Sequence, residues 1–139
     1  MEKKVSILNN RSVIKISGKD SLLFLNNIIS SDLEKINDEE LFITTLLSPQ
    51  GKILFDFFII KYEDCYLIEC SKNQLNDLLN KLKLYSLRLD VTFEKEDLDV
   101  IISNYFYQNE ISRKDVWFKN CEIYRHFTKS KSNLKNLSL

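Results

Sequence analysis

The stretch that most constrains the fold is residues 41–71, LFITTLLSPQGKILFDFFIIKYEDCYLIECS. It holds three apolar runs, Leu41 to Leu47, Ile53 to Tyr62 and Cys65 to Cys70, separated only by the short polar pieces around "SPQG" and "YEDC". Each run is rich in β-branched and aromatic residues, which favour strands. Gaps this short can close a hairpin but cannot hold the crossover that parallel neighbours require. The three runs therefore predict an antiparallel meander and argue against a doubly wound parallel sheet. The first gap contains the chain's only proline, Pro49, and one of its two glycines, Gly51. Proline presets the backbone at the first central position of a turn, and glycine accepts the positive φ that a tight reversal requires.

Around this meander the pattern is mixed. Val5 to Leu8 and Val13 to Ser17 read as short strands on either side of "NNRS". A helix is expected near 20–30, capped by Asp20 or Ser21, with Leu22, Leu25, Ile28 and Ile29 on one face. A second is expected near 72–86. There Ser71 and Gln74 have the form of a capping box, and Leu75, Leu78, Leu79, Leu82 and Tyr85 follow at helical spacing. Arg88 to Phe93 alternates like a strand, Val100 to Phe106 reads as another, and Val116 to Phe118 is a short apolar piece. The expectation is an α+β fold: an antiparallel sheet with helices packed on one face. It forms one domain over 1–127, with Ile53 to Tyr62 as an inner strand and 128–139 as a polar, disordered tail.

Composition narrows the functional classes. The 139 residues carry 20 basic and 20 acidic side chains, so there is no general pull toward nucleic acid or an anionic membrane, though a local basic patch stays open. The apolar runs are too short for a spanning helix, and the N-terminus lacks the apolar core of a signal peptide. Three cysteines without CxxC spacing and a single histidine give no metal framework and suit a reducing cytoplasm. Cys121 and His126, five residues apart, could be drawn as a nucleophile with its base, but no orienting group accompanies them. The cysteines read better as small apolar residues.

The residue that stands out is Asp56. On a regular strand it shares a face with Leu54, Phe58 and Ile60, and the opposite face is apolar too. A buried carboxylate is costly unless a cation, backbone donors or water meets it. Two readings follow. In one, Lys52, Arg88 or a strand-end amide holds Asp56, or its face is open to water. In the other, the face lines a ligand pocket, whose apolar walls and single carboxylate suit a flat heteroaromatic ligand.

Three segments, "VIKISGKDSLLFLNNIISSDLEKI", "LLSPQGKILFDFFII" and "LNDLLNKLKLYSLRLDVTFEKED", occur in an order and spacing that resembles the N-terminal part of YgfZ-type folate-binding proteins. These are relatives of the glycine-cleavage T-protein. The resemblance covers about Val5 to Glu96. It implies a tetrahydrofolate-binding protein that takes part in iron–sulfur cluster assembly or repair, a process linked to tRNA modification. In those relatives the turn leads to two acidic residues, the second of which contacts the pterin. Asp56 matches the second position, and Phe55 stands at the first. The resemblance makes Phe58, Ile60 and Ile43 wall positions of the folate pocket, and Arg88 and Arg125 match recurring arginines.

The departures weigh on the same expectation. The cysteine motif of the family's later half is not in this sequence. The chain therefore reads as an N-terminal half, with folate, iron–sulfur assembly or client proteins, and a separately encoded C-terminal half as partners, and with no membrane or direct nucleic-acid partner. Such a half is expected to leave apolar surface open at Leu54, Phe58 and Ile60 or near Val116–Phe118. A tetrahydrofolate-dependent aminomethyltransferase-like enzyme is the alternative, weakened by Phe55. A remnant or interaction domain without ligand is the other. No catalytic residue and no metal ligand is assigned.

Overall fold

The computed structural model describes residues 2–107, 111–115 and 121–129. Its strands are β1 (Val5–Leu8), β2 (Arg11–Ser17), β3 (Phe42–Leu47), β4 (Ile53–Tyr62), β5 (Cys65–Ser71), β6 (Thr92–Glu96), β7 (Asp99–Ser103), β8 (Ile111–Lys114) and β9 (Tyr124–Thr128). Helix α1 (Ser21–Ile28) lies between β2 and β3, and α2 (Leu75–Tyr85) between β5 and β6. The meander forms as expected, with β4 between β3 and β5 and all pairings antiparallel.

There are two sheets, not one. A five-stranded sheet has the order β3-β4-β5-β2-β6, and a four-stranded sheet the order β1-β7-β9-β8. Strands β1 and β2 flank a short turn yet go to different sheets, because β2 already has β5 on one side and β6 on the other. The short connection thus marks a corner of the fold instead of a hairpin.

Alternation along the central strands separates two cores. Ile14 and Ile16 of β2, Phe57 and Ile59 of β4, and Ile68 and Cys70 of β5 point to the helices, where they meet Phe24, Leu25, Leu75, Leu78 and Leu82. Val13, Ile60, Cys65 and Leu67 point the other way and meet Val100 and Phe127 of the four-stranded sheet. Each fully buried leucine or isoleucine contributes about 1.5–3 kcal/mol of transfer free energy. The helices therefore sit on one face of the five-stranded sheet, and the second sheet covers part of the other.

Several local expectations are corrected. Helix α1 turns Ser21, Phe24 and Leu25 inward and leaves Leu22 exposed. Asp20 occupies the cap position without a capping bond; its Oδ2 instead accepts from the Asp90 amide at 2.8 Å, while the Asp20 amide donates to the Asp90 carbonyl at 3.1 Å. Gly18 makes this join possible: a Cβ there would lie 2.2 Å from the Asp90 carbonyl oxygen. Held in this join, residues 88–91 cannot extend, so the sixth strand starts at Thr92 and Arg88 takes a positive φ of 75° in the preceding turn. Ser71 caps a short 3-10 turn, Lys72–Gln74, ahead of α2, and no side chain caps α2 itself. Thr128 closes β9 and is buried. Val116–Phe118 and residues 130–139 lie outside the described residues.

Candidate functional site

The turn before β4 is built as its composition requires. The Gly51 amide donates to the Ser48 carbonyl at 2.9 Å, and Gly51 has φ 84° with open space where a Cβ would be. Glycine is needed there for its backbone, not for room. The Lys52 amide donates to Ser48 Oγ at 3.0 Å. The β3–β4 register shifts between Leu46 and Leu47, so strict alternation along β4 starts beyond Leu54.

From there the face of β4 that looks toward the second sheet grades from buried to open. Ile60 is 0% exposed, Phe58 is half-buried and Asp56 is exposed, while Leu54, at the register shift, is half-buried. The expected opening at Ile60 is therefore absent, because Val100 and Phe127 of the second sheet pack around it. That sheet stops short of Asp56. The carboxylate stands on a ledge, opposite Thr45 in register, with Ile43 opposite Phe58 one pair further in. Thr45 is anchored by Ser30, whose Oγ accepts from Thr45 Oγ1 at 2.8 Å. Among the described residues Asp56 makes no ion pair: Lys52 is exposed, and Arg88 lies in the turn after α2. The Asp56 carboxylate is open to water and is not buried in an apolar row. The strand is covered on both sides only in its second half, and Asp56 falls in the first.

Behind the ledge lies a feature that the sequence reading missed. Glu69 of β5 sits directly beside Phe58, on the same face, and is 1% exposed. Arg125 Nη1 donates to both Glu69 oxygens at 2.9 Å, and Arg11 Nε donates to Glu69 Oε2 at 2.5 Å. The other edge of the Arg125 guanidinium reaches Asp115 Oδ2, with Nη2 at 3.1 Å and Nε at 3.2 Å. Two carboxylates and two guanidiniums thus neutralise one another inside the interface between the sheets. Arg125 also lies over the Phe58 ring, 4.2 Å from its centroid, and Arg11 lies 5.6 Å away. One ring face of Phe58 is therefore occupied by Arg125, and what it presents to the ledge is its remaining surface. The signal available in sequence was a carboxylate inside the all-buried run "CYLIEC", with arginines far away in the chain.

His126 is equally buried but chemically quiet. Ser103 Oγ lies 2.6 Å from its Nε2, Ser112 Oγ lies 2.5 Å from its Nδ1, and the Tyr107 ring packs edge-on with centroids 4.9 Å apart. Burial pushes its pKa down to about 4, with a hydrogen bond to the Tyr105 backbone opposing, so the imidazole is neutral at pH 7. Cys121 is exposed, whereas His126 is sealed in, so the two do not form a nucleophile–base pair. Burial raises the Cys70 thiol to about 11 and raises Cys65 as well, which fits their reading as apolar core residues. A separate cleft of about 440 Å³ opens between the β1–β2 turn, the start of α2 and the β6–β7 turn. Arg11, Lys72, Lys95, Glu96, Asp97 and Asp99 are among its lining residues, and none of Ile43, Asp56, Phe58 or Ile60 lines it.

The architecture now has a counterpart among solved structures. The crystal structure of glycine cleavage system aminomethyltransferase T from Bartonella henselae superposes on 99% of this chain with a TM-score of 0.77 at 9% sequence identity. This chain has that fold, and it spans 45% of the length of that protein. Sequence comparison points the same way. An aminomethyltransferase of Caldanaerobacter subterraneus is 29% identical over 87 residues, covering 59% of this chain and 23% of that protein. A Coccidioides immitis protein named iron-sulfur cluster assembly factor IBA57 homolog, mitochondrial, is 31% identical over 105 residues, covering 65% of this chain and 25% of that protein. Its Neosartorya fischeri counterpart is 32% identical over 98 residues, 58% of this chain and 22% of that protein. The chain therefore spans about a quarter of the length of these curated relatives. No protein-family model matches it.

Proposed function

We propose that this chain is a non-catalytic, YgfZ-type member of the aminomethyltransferase superfamily that binds tetrahydrofolate and takes part in iron–sulfur cluster assembly or repair, in a reducing compartment such as the cytoplasm. The observation that carries the reading is the agreement of two independent likenesses: an aminomethyltransferase fold along the whole chain, and recurrent sequence similarity to iron–sulfur cluster assembly factors. The ledge supplies the local chemistry. An exposed carboxylate can accept two adjacent N–H donors of a pterin ring, and the half-buried Ile43 and Phe58 give an apolar step beside it. Ile60 backs that step from the core.

The residues fit the ligand on one side only. Asp56 is open, so a second surface must close over the ring, supplied by the part of the relatives' length that this chain does not span. Binding by this chain alone is therefore weak. The rival enzyme reading has an aminomethyltransferase relative in its favour. Against it stands Phe55, half-buried where the resemblance expects the first acidic residue. Two measurements separate the readings. Calorimetric titration of tetrahydrofolate should show weak binding that Asp56→Ala removes. An assay with an aminomethyl donor and tetrahydrofolate should show no turnover. Equal affinity in both proteins would retire Asp56, and turnover would establish the enzyme reading.

A further inference from the structure

Five leucines stand in solvent at one end of the helical layer. Leu23 is 58% exposed, Leu84 55% and Leu87 68%, with Leu22 and Leu89 just past one third. They come from two separate segments, the first turn of α1 and the end of α2 with its following turn. The Asp20–Asp90 backbone and side-chain bonds and the close approach of Gly18 to Asp90 clamp those segments together. None is needed for the core: Phe24 and Leu25 in α1, and Leu75, Leu78 and Leu82 in α2, already seal the sheet.

The charge at this end is also unlike that of the chain as a whole. Lys19, Lys83 and Arg88 are exposed, and the Lys81 ammonium lies 5.9 Å from the Tyr85 ring centroid. Opposing them are Asp20, whose carboxylate is engaged by the Asp90 amide, and exposed Asp90. The zero net charge of the sequence thus conceals a local basic, apolar patch.

We propose that this patch docks on the surface of a bilayer containing anionic phospholipid. Residues 87–90 are all exposed, and none of the five leucines lines the described cleft. Exposed leucines with lysines and an arginine beside them in the same segments suit a bilayer, where leucines enter the headgroup–acyl boundary and the ammonium and guanidinium groups meet lipid phosphates. The centre of a protein interface favours aromatics and methionine and is depleted in lysine, whereas the exposed apolar side chains here are leucines accompanied by lysines and one arginine. Docking is reversible and lies along the surface; no described helix is long and apolar enough to cross a membrane.

Vesicle flotation tests this with the intact chain. Binding is expected to phosphatidylcholine vesicles that contain phosphatidylglycerol, and not to pure phosphatidylcholine, and should fall as salt is raised. Lys83→Glu with Arg88→Glu should weaken it by at least about tenfold. Leu23→Ser with Leu87→Ser should weaken it by about tenfold or more. All four positions are exposed, and unchanged melting curves confirm that the fold is kept. Failure to float with phosphatidylglycerol vesicles at low salt, or flotation unaffected by both double variants, overturns the proposal. So does a dimer in sedimentation velocity that the leucine variants dissolve in a chain that does not float; the face would then belong to a second copy. Tight binding of an acidic leucine-containing peptide by a chain that does not float overturns it in favour of a protein partner.

Discussion

The two faces of the five-stranded sheet are built by different physics. The helix side is closed with apolar side chains whose partners lie in adjacent elements of the chain. The opposite side is closed by a second sheet whose strands come from both ends of the described chain. At its margin it carries four mutually neutralising charges and then an open carboxylate. The first face owes its stability to burial alone. The second gives up part of that gain to desolvate Glu69, Arg125 and Asp115, which hydrogen bonds must offset. A face meant only to hold the fold together has no need of such groups. Their position behind Asp56, with Arg125 over Phe58, fixes the floor of the candidate site from below.

This contrast can be broken most severely at Glu69. Glu69→Ala takes from Arg125 one of the two carboxylates it meets and from Arg11 the carboxylate its Nε meets, and should cost about 3–5 kcal/mol in urea unfolding. Replacing Glu69 and Arg125 together with apolar residues should cost less than the sum of the single changes, since neither of the two is then left facing the vacated position of the other. A purely additive cycle would mean that the network contributes no more than its packing. On the helix face, Leu78→Ala should cost about 3 kcal/mol by cavity formation. No double-mutant coupling with Glu69 is expected, because the two lie on opposite sides of the sheet. Coupling above about 0.5 kcal/mol would show that the faces are not independent.

Acid should find the second sheet first. The folded His126 has a pKa of about 4 against the ordinary 6.5, so the unfolded chain takes up a proton before the folded one does. Its contribution is therefore fully present above pH 6.5 and is lost as pH falls toward 4. The loss is about 2 kcal/mol at pH 5 and roughly 3 at the limit. His126→Gln should flatten that slope relative to wild type, while the carboxylates titrate alike in both proteins. Parallel curves would mean that the imidazole is not sealed in.

How much of this could be seen in the sequence follows from which face a residue serves. The meander, the inner position of β4 and the buried stripe of α2 were legible because each depends on alternation, helical spacing or a short gap within one segment. The assignment of β1 to another sheet was not, since it depends on β7, about a hundred residues away. The Arg11–Glu69–Arg125–Asp115 network was hidden for the same reason: local pattern marks Glu69 as odd but cannot supply its partners. At Asp56, parity gave the face and left the burial open between a covered row and one open to water. Strand alternation says which way a side chain points, not how far the layer above it extends.

Asp56 offers the smallest effect on stability and the most direct reading of the comparison, because it shares with Glu69 the face that looks away from the helices. Being exposed and without an ion pair among the described residues, it should tolerate Asp56→Ala with a change within about 0.5 kcal/mol. The same substitution should remove a charged hydrogen bond to tetrahydrofolate worth about 1.5–3 kcal/mol, a ten- to hundredfold loss of affinity. Ile43→Ala should weaken the ligand less and again spare the fold. Ile60→Ala should do the opposite, costing about 2–5 kcal/mol of stability through the cavity it leaves. Melting curves and calorimetric titration of the three variants place each residue on one side of the divide. If Asp56→Ala destabilises the chain as Glu69→Ala does, the open ledge is part of the sheet interface after all, and its carboxylate serves the fold instead of a ligand.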